Sequence, residues 1–289
     1  MTDIGKLGVW WALLGSSAAS EEIEAVREIE RLGYSTFWFG ESPRNKDAFA
    51  HAGILLAQTE RINIATGIAG IYNRDAMATK SGAYFLADAS QGRFVLGLGV
   101  SHAGAVTGRG HDYGKPVSTM RAYLDAMDAA EYQPPAPPEP PPVLLAALRT
   151  RMLQLAAERT KGAHPYLTTP DHTARARATL GEGPLLAPEQ GFVIETDPAE
   201  ARAIARKHLE YYLVLPNYVN AWREDGYGDE DFADGGSDRL VDALVAWGDA
   251  DAVKARIQAH YDAGADHVCI QPVTTDLERG LRELAQLNP

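Results

Sequence analysis

The chain has 289 residues, a formal net charge of −12 at pH 7 and a sequence pI of about 5.1. This length suffices for one large barrel or two modest domains with a substantial core. The acidic balance argues against nucleic acid or an anionic membrane as a partner. No stretch offers the roughly 20 apolar residues of a spanning helix, and the first residues lack a secretory signal pattern, so we expect a cytoplasmic protein. The only cysteine, Cys269, excludes an intramolecular disulfide and is expected to be a buried thiol.

Short apolar runs recur along the chain and predict buried β-strands. They cover residues 6–13, 36–40, 62–70, 94–101, 143–148, 162–167, 185–194 and 267–273. Segments with helical periodicity lie between most of them; in one, Asp249 precedes an apolar stripe that recurs every four residues. Unbroken apolar runs are typical of parallel strands that helices cover. The pattern predicts an α/β protein with a (β/α)8 TIM barrel and insertion segments, a single domain over residues 1–289; a doubly wound open sheet is the alternative.

Three segments interrupt this alternation. Residues 102–118 form a glycine-rich stretch with several cations after the fourth predicted strand, and we expect an active-face loop there. Residues 134–142 are nearly all proline and predict a stiff connector. Residues 213–247 are an insertion before the last strand, and the sequence leaves open whether it is a lid, a dimer contact or simple packing.

The carboxyl ends of the predicted strands indicate the chemistry, because barrel enzymes place their active sites there. The third and fourth strands end in glycine-rich segments, 66–70 and 97–102, where backbone can approach a flat or phosphorylated ligand closely. No strand end offers a lysine for Schiff-base chemistry or a histidine and carboxylate cluster for a metal. The ionisable groups present are Glu41, His102 and His164. This set favours a planar cofactor that supplies the electronic chemistry while the protein handles protons.

Several motifs resemble the luciferase-like monooxygenase superfamily. They are Phe-Trp-Phe-Gly-Glu at 37–41, Ala-Thr-Gly-Ile at 65–68, residues 86–94 and Leu-Gly-Leu-Gly-Val-Ser at 96–101, continued by residues 158–165, 247–253 and 263–268. The closest resemblance is to the actinobacterial branch that uses the deazaflavin coenzyme F420 instead of FMN. The resemblance implies a bacterial luciferase-like barrel and a non-prolyl cis peptide between Gly67 and Ile68, forming a bulge behind the middle ring of the cofactor.

The resemblance also implies roles for individual residues. The implied cofactor-binding residues are Gly67, Ile68, Ala69, Gly97, Leu98, Gly99, Ser101 and His164, with phosphate on the backbone amides of 97–99 or on the helix start at Thr150 and Arg151. Glu41 and His102 are the candidate catalytic residues, as proton donors. Ser42 stands where many deazaflavin relatives have a histidine. Arg44, Arg109 and Lys115 are candidates to bind the acidic tail of the coenzyme, and ordinary solvated loop cations are the alternative.

We therefore predict an F420-dependent oxidoreductase that transfers a hydride between C5 of the deazaflavin and a small organic substrate. The alternatives are an FMN-dependent luciferase-like monooxygenase and a non-catalytic cofactor-binding barrel. The expected partners are a small-molecule substrate and a second copy of the chain in a homodimer, with no metal ion.

Overall fold

The structure is a computed structural model that describes residues 3–42 and 44–289. Its strands are β1 (Leu7–Trp10), β2 (Thr36–Phe39), β3 (Asn63–Thr66), β4 (Ala69–Gly70), β5 (Phe94–Gly99), β6 (Val143–Leu145), β7 (Gly162–Ala163), β8 (Leu185–Leu186), β9 (Glu189–Ile194), β10 (Val245–Gly248) and β11 (Val268–Pro272). Every apolar run predicted as a strand contains at least one of them. Strand β10 begins inside the segment 213–247, where no strand was expected.

Helices connect these strands. They are α1 (Ala19–Arg31), α2 (Ala48–Gln58), α3 (Ala76–Ala89), α4 (Ala103–Thr107), α5 (Pro116–Ala129), α6 (Thr150–Arg159), α7 (Pro170–Leu180), α8 (Pro198–Leu209), α9 (Pro216–Glu224), α10 (Asp229–Phe232), α11 (Asp238–Leu244), α12 (Ala250–Asp262) and α13 (Leu277–Leu287). Aspartates begin several of them: Asp47, Asp75 and Asp249 accept backbone N–H groups in the first turns of α2, α3 and α12. Within residues 3–42 and 44–289, no helix combines the length and hydropathy needed to span a bilayer.

The strands form one parallel sheet that closes into a barrel. Its hydrogen-bonded order is β10-β9-β11-β1-β2-β3-β5-β6-β7-β8, with β4 also paired to β5. Strand β8 continues directly into β9: Ala187 N–H donates to Ala163 O at 2.9 Å on one edge, and Cys269 N–H donates to Pro188 O at 2.9 Å on the other. The same segment therefore bonds to β7 and to β11. The predicted TIM-barrel fold is confirmed, and the Cys269 thiol is buried within it.

Between β9 and β10 the chain leaves the barrel wall as an excursion (residues 195–244) that carries α8 to α11. It returns as β10, in which Val245 pairs with Gly191 of β9. At the other end of this pairing, Glu195 N–H donates to Gly248 O at 3.0 Å. The beginning and the end of the excursion are thus bonded to each other beside β9.

Candidate active site

The chain between β3 and β4 forms a bulge at the barrel mouth, and the peptide bond between Gly67 and Ile68 is cis, as predicted. Both residues are partly exposed, whereas the strand residues on either side are buried. The bulge is bonded from neighbouring strand ends: the Trp10 indole N–H donates to Gly67 O at 3.0 Å, and Glu41 N–H donates to Ile68 O at 3.1 Å. The result is a fixed ridge of backbone facing the open end of the barrel.

Two glycines of β5 leave the space that the bulge and the end of β3 occupy. A Cβ on Gly97 would lie 1.9 Å from Thr66 O, and a Cβ on Gly99 would lie 2.5 Å from the Ile68 side chain. The Gly97 N–H donates to the Thr66 hydroxyl at 2.9 Å. We expected these glycines to admit a ligand to the backbone and to offer amides to phosphate. The Gly97 amide is already bonded and its missing side chain makes room for β3, so a ligand contact at Gly97 stays a prediction.

Glu41 is held as an ion beneath the bulge. Its side chain is 4% exposed, forms a bidentate ion pair with Arg74, and accepts the Gly70 N–H at 2.8 Å. Burial alone would raise the pKa of Glu41, but the Arg74 and Gly70 hydrogen bonds outweigh it and hold the pKa below its usual range. This geometry favours a structural role for Glu41, since an ionised, fully bonded carboxylate has no proton to donate.

His102 lies three residues after the end of β5 and directly precedes α4. Its Nδ1 lies 3.0 Å from the Asn217 amide oxygen on α9. Because an amide oxygen only accepts, Nδ1 carries the proton and Nε2 keeps its lone pair. Burial lowers the pKa of His102, an effect that the Asn217 hydrogen bond opposes. The ring is only half-buried, so Nε2 is available to take or give a proton at the mouth.

His164 follows β7 and lies behind the bulge. Its Nδ1 is 2.7 Å from Ala187 O, its ring stacks on Trp38 with centroids 4.5 Å apart, and Nε2 is buried without a partner. Burial lowers the pKa of His164 to about 4, so the ring is neutral at pH 7. A Cβ on Gly67 would lie 2.9 Å from Nε2. Of the predicted site residues, His164 is therefore brought directly against the bulge.

The segment 102–118 packs over the mouth and contains the short helix α4, where an unstructured loop was expected. The Tyr113 hydroxyl donates to Ser101 O at 3.0 Å, and the Tyr72 hydroxyl donates to Tyr113 O. Ser101 has a φ of +58°. These bonds connect the end of β5 to the chain that follows the bulge.

The residues predicted to bind the phosphate and the acidic tail of the coenzyme do not lie together in the structure. Thr150 and Arg151 begin α6 and are exposed, and Arg151 lines an outer groove between α5 and α6. Arg109 donates to the Asn73 side chain at 2.5 Å, while Arg44 and Lys115 are exposed. Their proposed contacts with the coenzyme stay predictions.

Sequence reasoning missed most of the other side of the mouth. Tyr166, Tyr212 and Tyr218 bring their rings together there, with centroids 5.1 to 6.3 Å apart, and we call them the tyrosine cluster. Behind them, Glu189 is fully buried in β9. The carboxylate of Glu189 inside the apolar run 185–194 could have indicated a site residue. Tyr212 and Tyr218 do not lie at strand ends, so their positions in the sequence did not indicate a place at the mouth.

Together these residues suit a flat ring system. The bulge offers peptide groups, Trp10 and Tyr166 offer aromatic surface with ring centroids 5.0 Å apart, and His164 and His102 offer neutral imidazoles. Across the described ranges 3–42 and 44–289, no group of three or more His, Cys, Asp or Glu side chains is placed to hold a metal ion. The site can bind and orient a planar cofactor and exchange a proton with a substrate beside it.

A closed parallel barrel whose strands are joined by helices defines the (β/α)8 class of protein. The luciferase-like monooxygenase family profile matches residues 9–267, and the chain belongs to that family. It is 24% identical, over 88% of this chain and 90% of the relative, to a 5,10-methylenetetrahydromethanopterin reductase of Methanolobus tindarius.

Two solved structures share the fold. An F420-dependent secondary alcohol dehydrogenase in complex with an F420–acetone adduct superposes with a TM-score of 0.76 at 14% identity, covering 99% of this chain and 98% of that one. The oxygenating constituent of 3,6-diketocamphane monooxygenase from Pseudomonas putida, in complex with FMN, gives a TM-score of 0.73 at 16% identity and covers 99% and 97%.

Proposed function

We propose that the protein is a coenzyme F420-dependent oxidoreductase acting on a small organic substrate. The observation that carries the proposal is the fixed, partly exposed ridge at Gly67 and Ile68, together with the half-buried His102 after β5, the strand that pairs with β4. Membership of the luciferase-like family and the similarity to an F420-dependent alcohol dehydrogenase support it. The residues fit the deazaflavin, because the bulge and Trp10 form the edges of a surface suited to a planar ring. His164 Nε2 is a polar atom without a partner just behind the bulge.

When bound, the reduced deazaflavin would supply a hydride, and the substrate would take it up together with one proton. The bulge and Trp10 would hold and orient the ring system. His102 is the better candidate to exchange the proton, because Nε2 has no partner among the described side chains and Asn217 fixes the tautomer. Nε2 must first be protonated to give a proton to the substrate, and in the reverse, oxidising direction its lone pair would accept the proton that the substrate releases. Glu41 and Arg74 would keep the bulge rigid.

Titration of the purified protein with coenzyme F420 and with FMN, followed by tryptophan fluorescence, tests the cofactor. We expect saturable binding of F420 and weaker binding of FMN. Tight FMN binding without F420 binding would instead support the flavin-dependent monooxygenase, the alternative favoured by the FMN complex with the same fold. Binding of F420 without turnover of any enone, imine or ketone would favour a non-catalytic barrel.

Replacing His102 tests the proton step separately. We expect His102→Gln to bind F420 as the wild type does and to lower turnover about 100-fold, a typical general-acid contribution. The matched control is His111→Gln, an exposed histidine in the same segment. Equal turnover in the two variants would contradict the assignment of His102.

We also propose a homodimer that uses the outer face of α2 and α3. The two helices pack through Gly53 against Leu86, and their neighbours Ile54 and Phe85 are 50% and 63% exposed. Adjacent exposed apolar side chains are typical of protein interfaces. Light scattering should give twice the chain mass for the wild type and the monomer mass for Phe85→Glu; a monomeric wild type would contradict the proposal.

A further inference from the structure

The tyrosine cluster forms one wall of the mouth, opposite the bulge. Tyr166 follows β7 and stacks near Trp10, while Tyr212 and Tyr218 come from the excursion, before and within α9. The rings of Tyr166 and Tyr212 lie 5.5 Å apart, and those of Tyr212 and Tyr218 lie 5.1 Å apart. The wall is therefore aromatic and is built from both the barrel and the excursion.

Two of the three phenols are committed to hydrogen bonds. The Tyr166 hydroxyl donates to the Gln271 amide oxygen at 2.9 Å, and it lies 2.9 Å from the Tyr212 hydroxyl. The Tyr218 hydroxyl has no hydrogen-bond partner in the part of the chain that the structure describes, although its ring lies 5.8 Å from that of His102. Asn217 and Tyr218 are consecutive, so one turn of α9 both orients His102 and presents an unused O–H beside it.

The wall is also uncharged. Glu189 is fully buried, its Oε2 accepts the Leu167 N–H at 3.0 Å, and its Oε1 has no partner. Burial raises the pKa of Glu189 to about 8, so this carboxyl is mostly protonated at pH 7. Burial likewise keeps the Tyr218 phenol un-ionised and lowers the pKa of His208, whose ring lies beside Tyr212, to about 4.

No lysine or arginine among the described residues lies over a ring of the tyrosine cluster. The other rings in contact with the described tyrosine cluster are those of Trp10, His102, His208, Tyr211 and Trp222. The groups that act on the pKa of the three phenols are Glu189 and neighbouring tyrosines. Arg149, which reaches α9, is paired with Glu224, and Arg74, across the mouth, is bonded to Glu41 and Asp47. A charged substrate would lose its hydration here and gain no counter-ion.

We infer that the tyrosine cluster is the substrate subsite, and that it selects an uncharged substrate whose carbonyl or imine group accepts the Tyr218 hydroxyl next to His102. This inference rests on the proposed function, because it concerns the substrate of the same site. It names the chemical class of that substrate: an aromatic or aliphatic compound without a carboxylate or phosphate group. Tyr218 is thereby a specificity-determining residue that contacts the reacting group.

A matched pair of ligands tests the inference on the protein without coenzyme. Acetophenone and 4-acetylbenzoate share the ketone and differ by one carboxylate. Saturation-transfer NMR with wild-type protein at pH 7 should show acetophenone binding at least about tenfold more tightly, since the anion must be buried without a partner. Equal or tighter binding of 4-acetylbenzoate would overturn the inference, and so would the failure of both ligands to bind.

The Tyr218→Phe variant tests the hydrogen bond. Removing one neutral hydrogen bond, worth about 1 kcal/mol, should weaken acetophenone about fivefold. It should leave α-methylstyrene, which has the same shape without the carbonyl, unchanged. Tyr211→Phe is the control, because Tyr211 packs on Tyr212 but is 59% exposed. An equal loss for both ligands would overturn the role of Tyr218, and the wild-type comparison remains decisive if the variant does not fold.

The coenzyme titration keeps the two proposals apart. Tyr218→Phe should bind F420 as the wild type does. Ketone selectivity without F420 binding would refute only the proposed function, whereas F420 binding without ketone selectivity would refute only the subsite.

Discussion

The two sides of the barrel mouth use their polar groups in opposite ways. On the side of the bulge, the Glu41 carboxylate is paired with Arg74 and the carbonyls of Gly67 and Ile68 are bonded. On the side of the tyrosine cluster, the Tyr218 hydroxyl and the buried Glu189 Oε1 have no partner among the described residues. Apart from His164 Nε2 behind the bulge, the polar groups named on the first side are all bonded, which suits holding a cofactor in a fixed position. The second keeps hydrogen-bonding capacity for a ligand.

Breaking the Glu41–Arg74 pair should cause the largest loss. Arg74→Met leaves a buried carboxylate without its counter-ion, and we expect the free energy of unfolding in urea to fall by about 3–5 kcal/mol. The double variant Glu41→Gln with Arg74→Met should recover at least half of that loss. If the single variant were as stable as the double, the bulge side would not depend on this ion pair.

Adding one methyl group to β5 tests how tightly the bulge is seated. The Cβ of Gly97→Ala would lie 1.9 Å from Thr66 O, a backbone atom that cannot move aside. We expect a loss of about 3 kcal/mol in urea unfolding, as for severe overpacking. Gly104→Ala in α4 is the control, since its Cβ would meet nothing within 4 Å. Similar stability of the two variants would refute this packing argument.

Glu189, behind the tyrosine cluster, should make the free energy of unfolding fall at alkaline pH. Its pKa is about 8 in the folded protein against 4.5 for an ordinary glutamate, so the folded state binds more protons than the unfolded state between these values. Stability therefore falls as pH rises from 4.5 to 8, by about 1.4 kcal/mol per pH unit, and the loss levels off above pH 8.

Glu189→Gln should remove this slope. The melting temperatures of variant and wild type should nearly coincide at pH 4.5 and separate steadily towards pH 8, with the variant higher. Calorimetry at several pH values measures the difference. A constant difference across this range would show that Glu189 is ionised in the folded protein.

The smallest expected effect concerns the orientation of His102. Asn217→Leu removes the acceptor of the Nδ1 proton and should lower kcat/KM about fivefold to tenfold, the value of one hydrogen bond. Because the Asn217 bond raises the pKa of His102 against burial, its loss should move the alkaline limb of the pH profile for substrate reduction, where His102 must be protonated, to lower pH. Asn220→Leu on the same helix is the control. Unchanged pH profiles in both variants would make Asn217 a packing residue only.

The fold could be predicted from the sequence because its signals are local, whereas the bulge was predicted from the resemblance of the motif at 65–68 to the luciferase-like family. Apolar runs mark the strands, and Gly97 lies within β5, where it packs against Thr66 at the end of β3. The roles of individual polar groups could not be predicted so well. Glu41 was expected to donate a proton, yet its state depends on Arg74, 33 positions away in the chain. Charge partners brought together by the fold decide a pKa, and sequence spacing does not reveal them.

The tyrosine cluster was missed for a related reason. Tyr166 was visible at a strand end, but Tyr212 and Tyr218 lie in the excursion, whose course over the mouth depends on long-range packing. The Trp222 indole N–H, for example, donates to Leu167 O, 55 positions earlier. The hydrophobic periodicity of a long insertion does not predict which part of the barrel the insertion will cover.

The hydrogen bond between Glu195 and Gly248 has an evolutionary consequence. Since residues 195–244 leave and rejoin the barrel beside β9, the entropic cost of closing this segment depends little on its length. Insertions, deletions or wholesale replacement there would leave the register of the barrel strands intact. The part of the mouth that the excursion forms is therefore an exchangeable module, and this architecture can alter that module while the bulge on the barrel itself stays the same.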